Sequence, residues 1–205
     1  MTKTLLTMKI FKRILIIVAL LIGVAVIIGL LLPREQHVER SLVVDASPAV
    51  VFEQVNNLKN WENWSPWIKL DPASVRNYSD PAVGAGAYYT WSSENKNVGK
   101  GKMTILESQP NTLVSTELEF EGMEKARGYF KFEPDGNGTK VTWAFDANMG
   151  SNPFFRIMGL MMDKMLGKNF DEGLQAIKKA AEAAPEAVSP PEVAEPDSMI
   201  MEVLE

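Results

Sequence analysis

Ile14 to Leu32, ILIIVALLIGVAVIIGLLL, is a run of 19 residues without a charge or a strongly hydrogen-bonding side chain. At about 1.5 Å per residue, a helix of this length matches the roughly 30 Å hydrocarbon core of a bilayer. The run therefore predicts a transmembrane signal-anchor helix over 14–32. Cleaved signal peptides carry shorter apolar regions, about 7–15 residues, and a small-residue cleavage site. Here the run ends in LLLPREQ instead. Residues 1–13 hold Lys3, Lys9, Lys12 and Arg13 and no acid, which places the N-terminus in the cytoplasm and the chain beyond Pro33 across the membrane. In a bacterium this is a single-pass inner-membrane protein whose C-terminal part faces outward. Met8 heads a more compact signal-anchor than Met1 does.

Beyond Pro33 the charge balance is −9, from 17 of the 21 basic residues against all 26 acidic ones. Such a surface repels nucleic-acid phosphates, so nucleic acid is excluded as a partner. The chain has no cysteine, which removes disulfides, thiolate metal sites and a cysteine nucleophile. Between anchor and tail there is length for one globular domain with a real core, residues 35–183.

His37 to Asp45 alternates like a first strand. Ser47 stands at an N-cap position with Pro48 at N1, opening a short helix over Ala49 to Asn57. Pro66 ends any helix in WENWSPW. From Ser74 the period becomes two. Strands are expected at Ala87–Ser93, Gly99–Ser108, Asn111–Glu121, Lys125–Glu133 and Thr139–Met149, with a weaker one near Val75–Ser79. A three-residue loop of Gly122, Met123 and Glu124 would set Glu121 opposite Lys125 and Glu119 opposite Arg127 on one face. On the other it would set Phe120 opposite Ala126 and Leu118 opposite Gly128.

Asn152 to Ala183 reads as one long amphipathic helix. Leu166, Phe170, Leu174 and Ile177 follow the spacing of an apolar stripe, and Met158, Met161, Met162 and Met165 crowd its first half. Strands followed by a long helix make an α+β arrangement, an antiparallel sheet of about six to seven strands with the helix covering its apolar face. Residues 184–205, rich in Pro, Glu and Ala, are expected to be disordered. Their last residues, MIMEVLE, are a weak docking motif for a protein partner that the sequence does not name.

Four segments in this order resemble the START-like superfamily of polyketide cyclases, lipid-transfer domains and birch-pollen-allergen-like proteins (SRPBCC). They are ASPAVVFEQVNNLKNWENWSPW, VGAGAYYTW, GYFKFEPDGNGTKVTWAF and RIMGLMMDKMLGKNFDEGLQAIKK. The similarity covers Val38 to Ala183. It implies the helix-grip fold, a curved antiparallel sheet around the C-terminal helix with a cavity between them for a hydrophobic molecule. One fold hosts unrelated functions, so no activity follows from it.

The residues offer little for catalysis. His37, the single histidine, lies next to the anchor, and a transition-metal site lacks ligands. Glu117, Glu119 and Glu121 face Lys125 and Arg127 as a solvated sheet face. Asp163 and Lys164 are an exposed mid-helix pair. The glycines of VGAGAYY and EPDGNGT lack the spacing of a phosphate loop and belong to turns. No catalytic residue, metal site or cofactor is assigned. For a cyclase-like reaction, Arg127, Asp146 and Tyr89 are the polar groups to inspect.

The expected site is an apolar lining. From the sheet it takes Trp91, Met103, Leu118, Phe120, Phe130, Phe132, Trp143 and Phe145. From the helix it takes Met158, Met162 and Met165, whose flexible thioethers suit varied apolar partners. The expected function is a membrane-anchored binding domain for a hydrophobic small molecule or lipid. A cyclase or dehydrase acting in the same cavity, and a module that recruits a partner through its tail, are the alternatives. Trp61, Trp64 and Trp67 read as structural, although Trp at a cavity rim near a membrane would suit headgroup-depth contact.

Overall fold

A computed structural model describes residues 2–121 and 124–184. The apolar run lies in one helix, α1 (Thr2–Leu31), whose side chains from Ile10 on are open to the surroundings apart from Gly29. Its continuation enters β1 (Glu35–Val44), followed by α2 (Pro48–Asn56), a short turn of 3-10 helix, α3 (Trp61–Trp64) and α4 (Pro66–Leu70). Ser47 occupies the N-cap and Pro48 begins the helix, yet the Ser47 hydroxyl makes no capping bond. Its carbonyl instead accepts the N–H groups of Val50 and Val51. Pro66 separates α3 from α4 and stands at the N-terminal turn of α4, where its missing N–H costs nothing.

Six strands follow: β2 (Val75–Tyr78), β3 (Tyr88–Ser92), β4 (Lys100–Gln109), β5 (Leu113–Phe120), β6 (Ala126–Asp135) and β7 (Gly138–Asn148). All seven strands form one antiparallel sheet in the order β1-β7-β6-β5-β4-β3-β2, with β1 returning to pair along β7. A bulge between Ile105 and Glu107 breaks the β4–β5 register and adds to the curl that makes one face concave. The helix-grip arrangement expected from the sequence is the one observed.

Two expectations change. Around residue 122 the observed register pairs Leu118 with Ala126 and Glu117 with Arg127, two residues away from the tight-loop register. A slip of two keeps every side chain on its face, so face patterning cannot distinguish the alternatives. The 152–183 helix is also not continuous. It divides into α5 (Pro153–Gly159) and α6 (Met162–Glu182), with Leu160 and Met161 between them closing short 3-10-type bonds to Ile157 and Met158.

α6 lies across the concave face and is tied down at both ends. Arg40 on β1 reaches Asp163 at 2.9 Å and Asp171 at 3.7 Å, passing over Gly167, where a Cβ would run into the guanidinium. Asp163 is therefore not a free surface acid. At the other end Lys178 bonds the Val43 carbonyl and Glu182, and Glu182 accepts the Asp45 N–H. The tail and its MIMEVLE motif lie outside the described residues.

Candidate functional site

The concave face carries alternate residues of each strand, and cross-strand rows can be read from the register. Tyr89, Met103, Leu118 and Ala126 share one row. Trp91, Gly101 and Phe120 share the next. Val38, Phe145 and Gly128 form another, followed by Arg40, Trp143 and Phe130.

The centre of this face is filled. Trp143 stacks on Phe170 of α6 with ring centroids 4.2 Å apart and planes 4° from parallel, and on Phe130 from the other side at 4.8 Å. Trp64 and Trp67 meet Trp143 edge-on, each at 5.6 Å, and Trp61 and Trp64 close over Phe130. The indole N–H groups are satisfied by backbone, Trp61 to the Val55 carbonyl and Trp64 to that of Gln54, both at 2.8 Å. These tryptophans hold the α3–α4 segment in place as a plug between sheet and α6. Of the expected lining, Met103, Phe130, Phe132 and Trp143 are buried in this core.

One end of the grip is less completely closed. Trp91, Leu118, Phe120 and Phe145 from the sheet, and Met162 and Leu166 from α6, are only half-buried. Trp91 meets Phe120 edge-on at 5.6 Å, lying over Gly101, whose missing Cβ leaves room for the indole. β1 begins, β3 ends, β4 begins, β5 ends, β6 begins and β7 ends on this edge, the edge at which α1 joins β1. The half-buried apolar end and the apolar α1 helix are thus on the same side of the domain.

The methionines divide. Met162 packs against the core, whereas Met158, Met161 and Met165 are exposed and turned outward. Met158 and Met165 thus do not line the grip. The kink between α5 and α6 rotates the first half of the expected stripe away from the sheet.

The polar groups also sort by face. His37, Asp146 and Arg127 lie on the outer face, with His37 Nδ1 2.7 Å from Asp146. That bond, with Glu39 nearby, raises the imidazole above its ordinary pKa. Lys125 bonds Glu117 at 2.7 Å and approaches Glu119 at 3.4 Å, the solvated ion-pair face expected of the acidic strand. Tyr89 is buried within the core, and burial pushes its hydroxyl pKa well up, so it stays neutral.

A cluster not anticipated from the sequence joins Glu62 of α3 to the edge strand β2. Glu62 accepts from Tyr78 at 2.7 Å and from both Arg76 Nε and Nη2, at 3.0 and 3.2 Å. The Tyr78 bond and the Arg76 guanidinium hold the Glu62 carboxyl below its usual range, and desolvation raises Tyr78. Glu62 follows a tryptophan in a four-residue helix, and nothing in its spacing links it to β2. Its effect is to fasten the plug to the sheet edge.

The family model for polyketide cyclase / dehydrase and lipid transport matches residues 35–182. No curated protein matches the chain in sequence. Among solved structures, a Staphylococcus aureus protein of unknown function, SA2116, aligns with a TM-score of 0.56 at 12% identity, over 72% of this chain and 94% of that one. The di-domain ARO/CYC StfQ from the steffimycin biosynthetic pathway aligns with a TM-score of 0.56 at 13% identity, over 72% of this chain and 51% of StfQ. CV1439 from Chromobacterium violaceum gives a TM-score of 0.53 at 12% identity, over 73% and 99%. Similarities this distant report the fold, and the family match adds membership: the chain belongs to the polyketide cyclase / dehydrase and lipid transport family.

Proposed function

We propose that this protein is a membrane-anchored, non-catalytic binding domain for a hydrophobic small molecule or lipid, captured at the anchor-side end of the grip. One observation carries this reading. The half-buried apolar residues Trp91, Leu118, Phe120, Phe145, Met162 and Leu166 gather on the edge where the span joins the sheet. A ligand leaving a bilayer would meet that end first, and apolar residues with modest burial give it area to cover. The filled centre restricts the site to this end unless the α3–α4 plug moves. The span lies in a bacterial inner membrane with residues 1–13 in the cytoplasm and the grip domain outside, as the basic residues before the span favour.

The cyclase-like alternative needs an acid and a base converging on the bound molecule. The inward-facing charged groups are already engaged, Arg40 with Asp163 and Arg76 with Glu62. They hold helices rather than face an open space.

Native mass spectrometry of the full chain, extracted with its membrane lipids, tests the reading. Adducts of one lipid or small-molecule mass are expected, and Phe145→Lys should remove them while the chain stays folded. A bare chain in both samples, or adducts unchanged by Phe145→Lys, contradicts it.

A further inference from the structure

The segment that breaks the expected long helix has a composition unlike the rest of the surface. From Pro153 to Met162 it reads PFFRIMGLMM, with one charge, Arg156, and that charge is turned inward. Its outward side presents Phe154 at 63% exposure, Leu160 at 60% and, in the first turn of α6, Met165 at 58%, with Phe155, Met158 and Met161 also exposed. Six large apolar side chains in one short stretch of surface are more than a water-facing helix and turn ordinarily carry.

What covers them follows from where α5 is fixed. Arg156 donates from Nη1 to the carbonyls of Leu30 and Leu32, at 2.8 and 3.3 Å, and from Nε to that of Gly150 at 3.0 Å. The carbonyls at the end of a helix have no partner within it, and at a membrane surface they require one. Arg156 supplies it and ties α5 to the last turn of α1. Gly29 is the contact point, since a Cβ there would lie 2.6 Å from Pro153 Cβ. Gly29 stands three residues before the end of the apolar run, about 4–5 Å inside it along the helix axis. α5 is therefore held at the depth where hydrocarbon gives way to headgroups, the depth at which amphipathic interfacial helices bury their apolar side.

We infer that α5, with Leu160 and Met161, is an interfacial membrane-docking element that inserts its exposed apolar side chains into the bilayer leaflet next to α1. The occupant is the lipid surface itself. This rests on the reading of α1 as a span, and it adds a fixed posture: the domain sits with its half-buried apolar edge toward the leaflet instead of hanging on a free tether. The outward methionines and phenylalanines, which the grip does not use, then have a role.

The chain has no cysteine, so single cysteines carrying an environment-sensitive fluorophore can be placed at Phe154, Leu160, Ile22 and Asp135 in the full chain. Each variant is reconstituted in phosphatidylcholine and phosphatidylglycerol vesicles, with and without brominated acyl chains. Ile22 reports the span, and Asp135 lies in the hairpin at the opposite edge of the sheet. Several-fold stronger quenching by brominated lipid at 154 and 160 than at 135, approaching that at 22, is expected. Quenching at 22 with none at 154 and 160 overturns the docking element and leaves the span standing. No quenching at 22 overturns the span, and the docking element with it.

Discussion

Trp143→Ala tests whether the grip is as full as its aromatic geometry indicates. Trp143 is 5% exposed and lies in the Phe130–Trp143–Phe170 stack, with Trp64 and Trp67 edge-on to it. Truncating a buried aromatic costs about 3–5 kcal/mol, and each lost ring pairing is worth about 0.5–1.5 kcal/mol beyond area burial. Four such pairings disappear here, and Trp64 is pinned by its bond to the Gln54 carbonyl, so collapse into the space is restricted. The expected loss is near the upper end, about 4–5 kcal/mol. At roughly 2–4 °C per kcal/mol this lowers the Tm by about 8–20 °C for a domain of this size. Thermal unfolding of the full chain in detergent, followed by near-ultraviolet circular dichroism, measures it. The new cavity is apolar and dry, so indole or benzene should recover part of the loss, as expected of a ligand that binds only the folded state. A loss under about 1 kcal/mol, with no recovery by indole, would refute the packed centre.

Three further outcomes follow from the clamps and the outer face. Gly167→Ala pushes the flexible Arg40 guanidinium aside and loosens its largely exposed pair with Asp163, a small loss because surface ion pairs are worth little. Against it stands a helix gain of up to about 1 kcal/mol; in an Arg40→Met background only that gain remains, so the same change should be more favourable there by the worth of the pair. Denaturant unfolding of the four proteins of that cycle checks it, and equal effects in both backgrounds would contradict it. His37, the single histidine, should titrate above its ordinary value of about 6.5 because it bonds Asp146, and Asp146→Asn should return it; the imidazole proton resonances report both. Since the folded pKa is the higher one, this contact stabilises the fold below about pH 6.5 and the gain is lost as pH rises through the folded value. Asp163 has the opposite sign: Arg40 depresses its pKa, so its contribution is present above the ordinary carboxylate range and lost as pH falls through the folded value. The protection factors of the first α6 amides, with the pH dependence of intrinsic exchange removed, should therefore fall in acid, and protection unchanged by acid would contradict the clamp.

The long apolar helix α1, the strands and the α+β plan were readable because each rests on a local pattern: a charge-free run for α1, and period two for the strands. What could not be read depends on contacts between distant residues. The β5–β6 register slipped by two because Leu118 stays on the concave face whether it meets Gly128 or Ala126. The break between α5 and α6 left no mark, since PFFRIMGLMM continues a helical apolar pattern. It is set instead by Arg156 reaching Leu30 and by Gly159 lying against Gln36. Which strand residues share the concave face follows from parity alone, whereas the placement of the methionines depended on a helix being straight. The three tryptophans of WENWSPW looked structural, but the ring stack they join spans α3, α4, α6, β6 and β7 and has no signature along the chain.

The most direct measurement of the binding proposal is photo-crosslinking in membranes with a phospholipid carrying a diazirine near its acyl-chain end. Peptides from the full chain are then mapped by mass spectrometry. The expected result is labelling at the anchor-side end of the grip, on peptides containing Leu118, Phe145 or Met162, in addition to α1. Labelling confined to α1 and α5, with none on those sheet and α6 peptides, would contradict it.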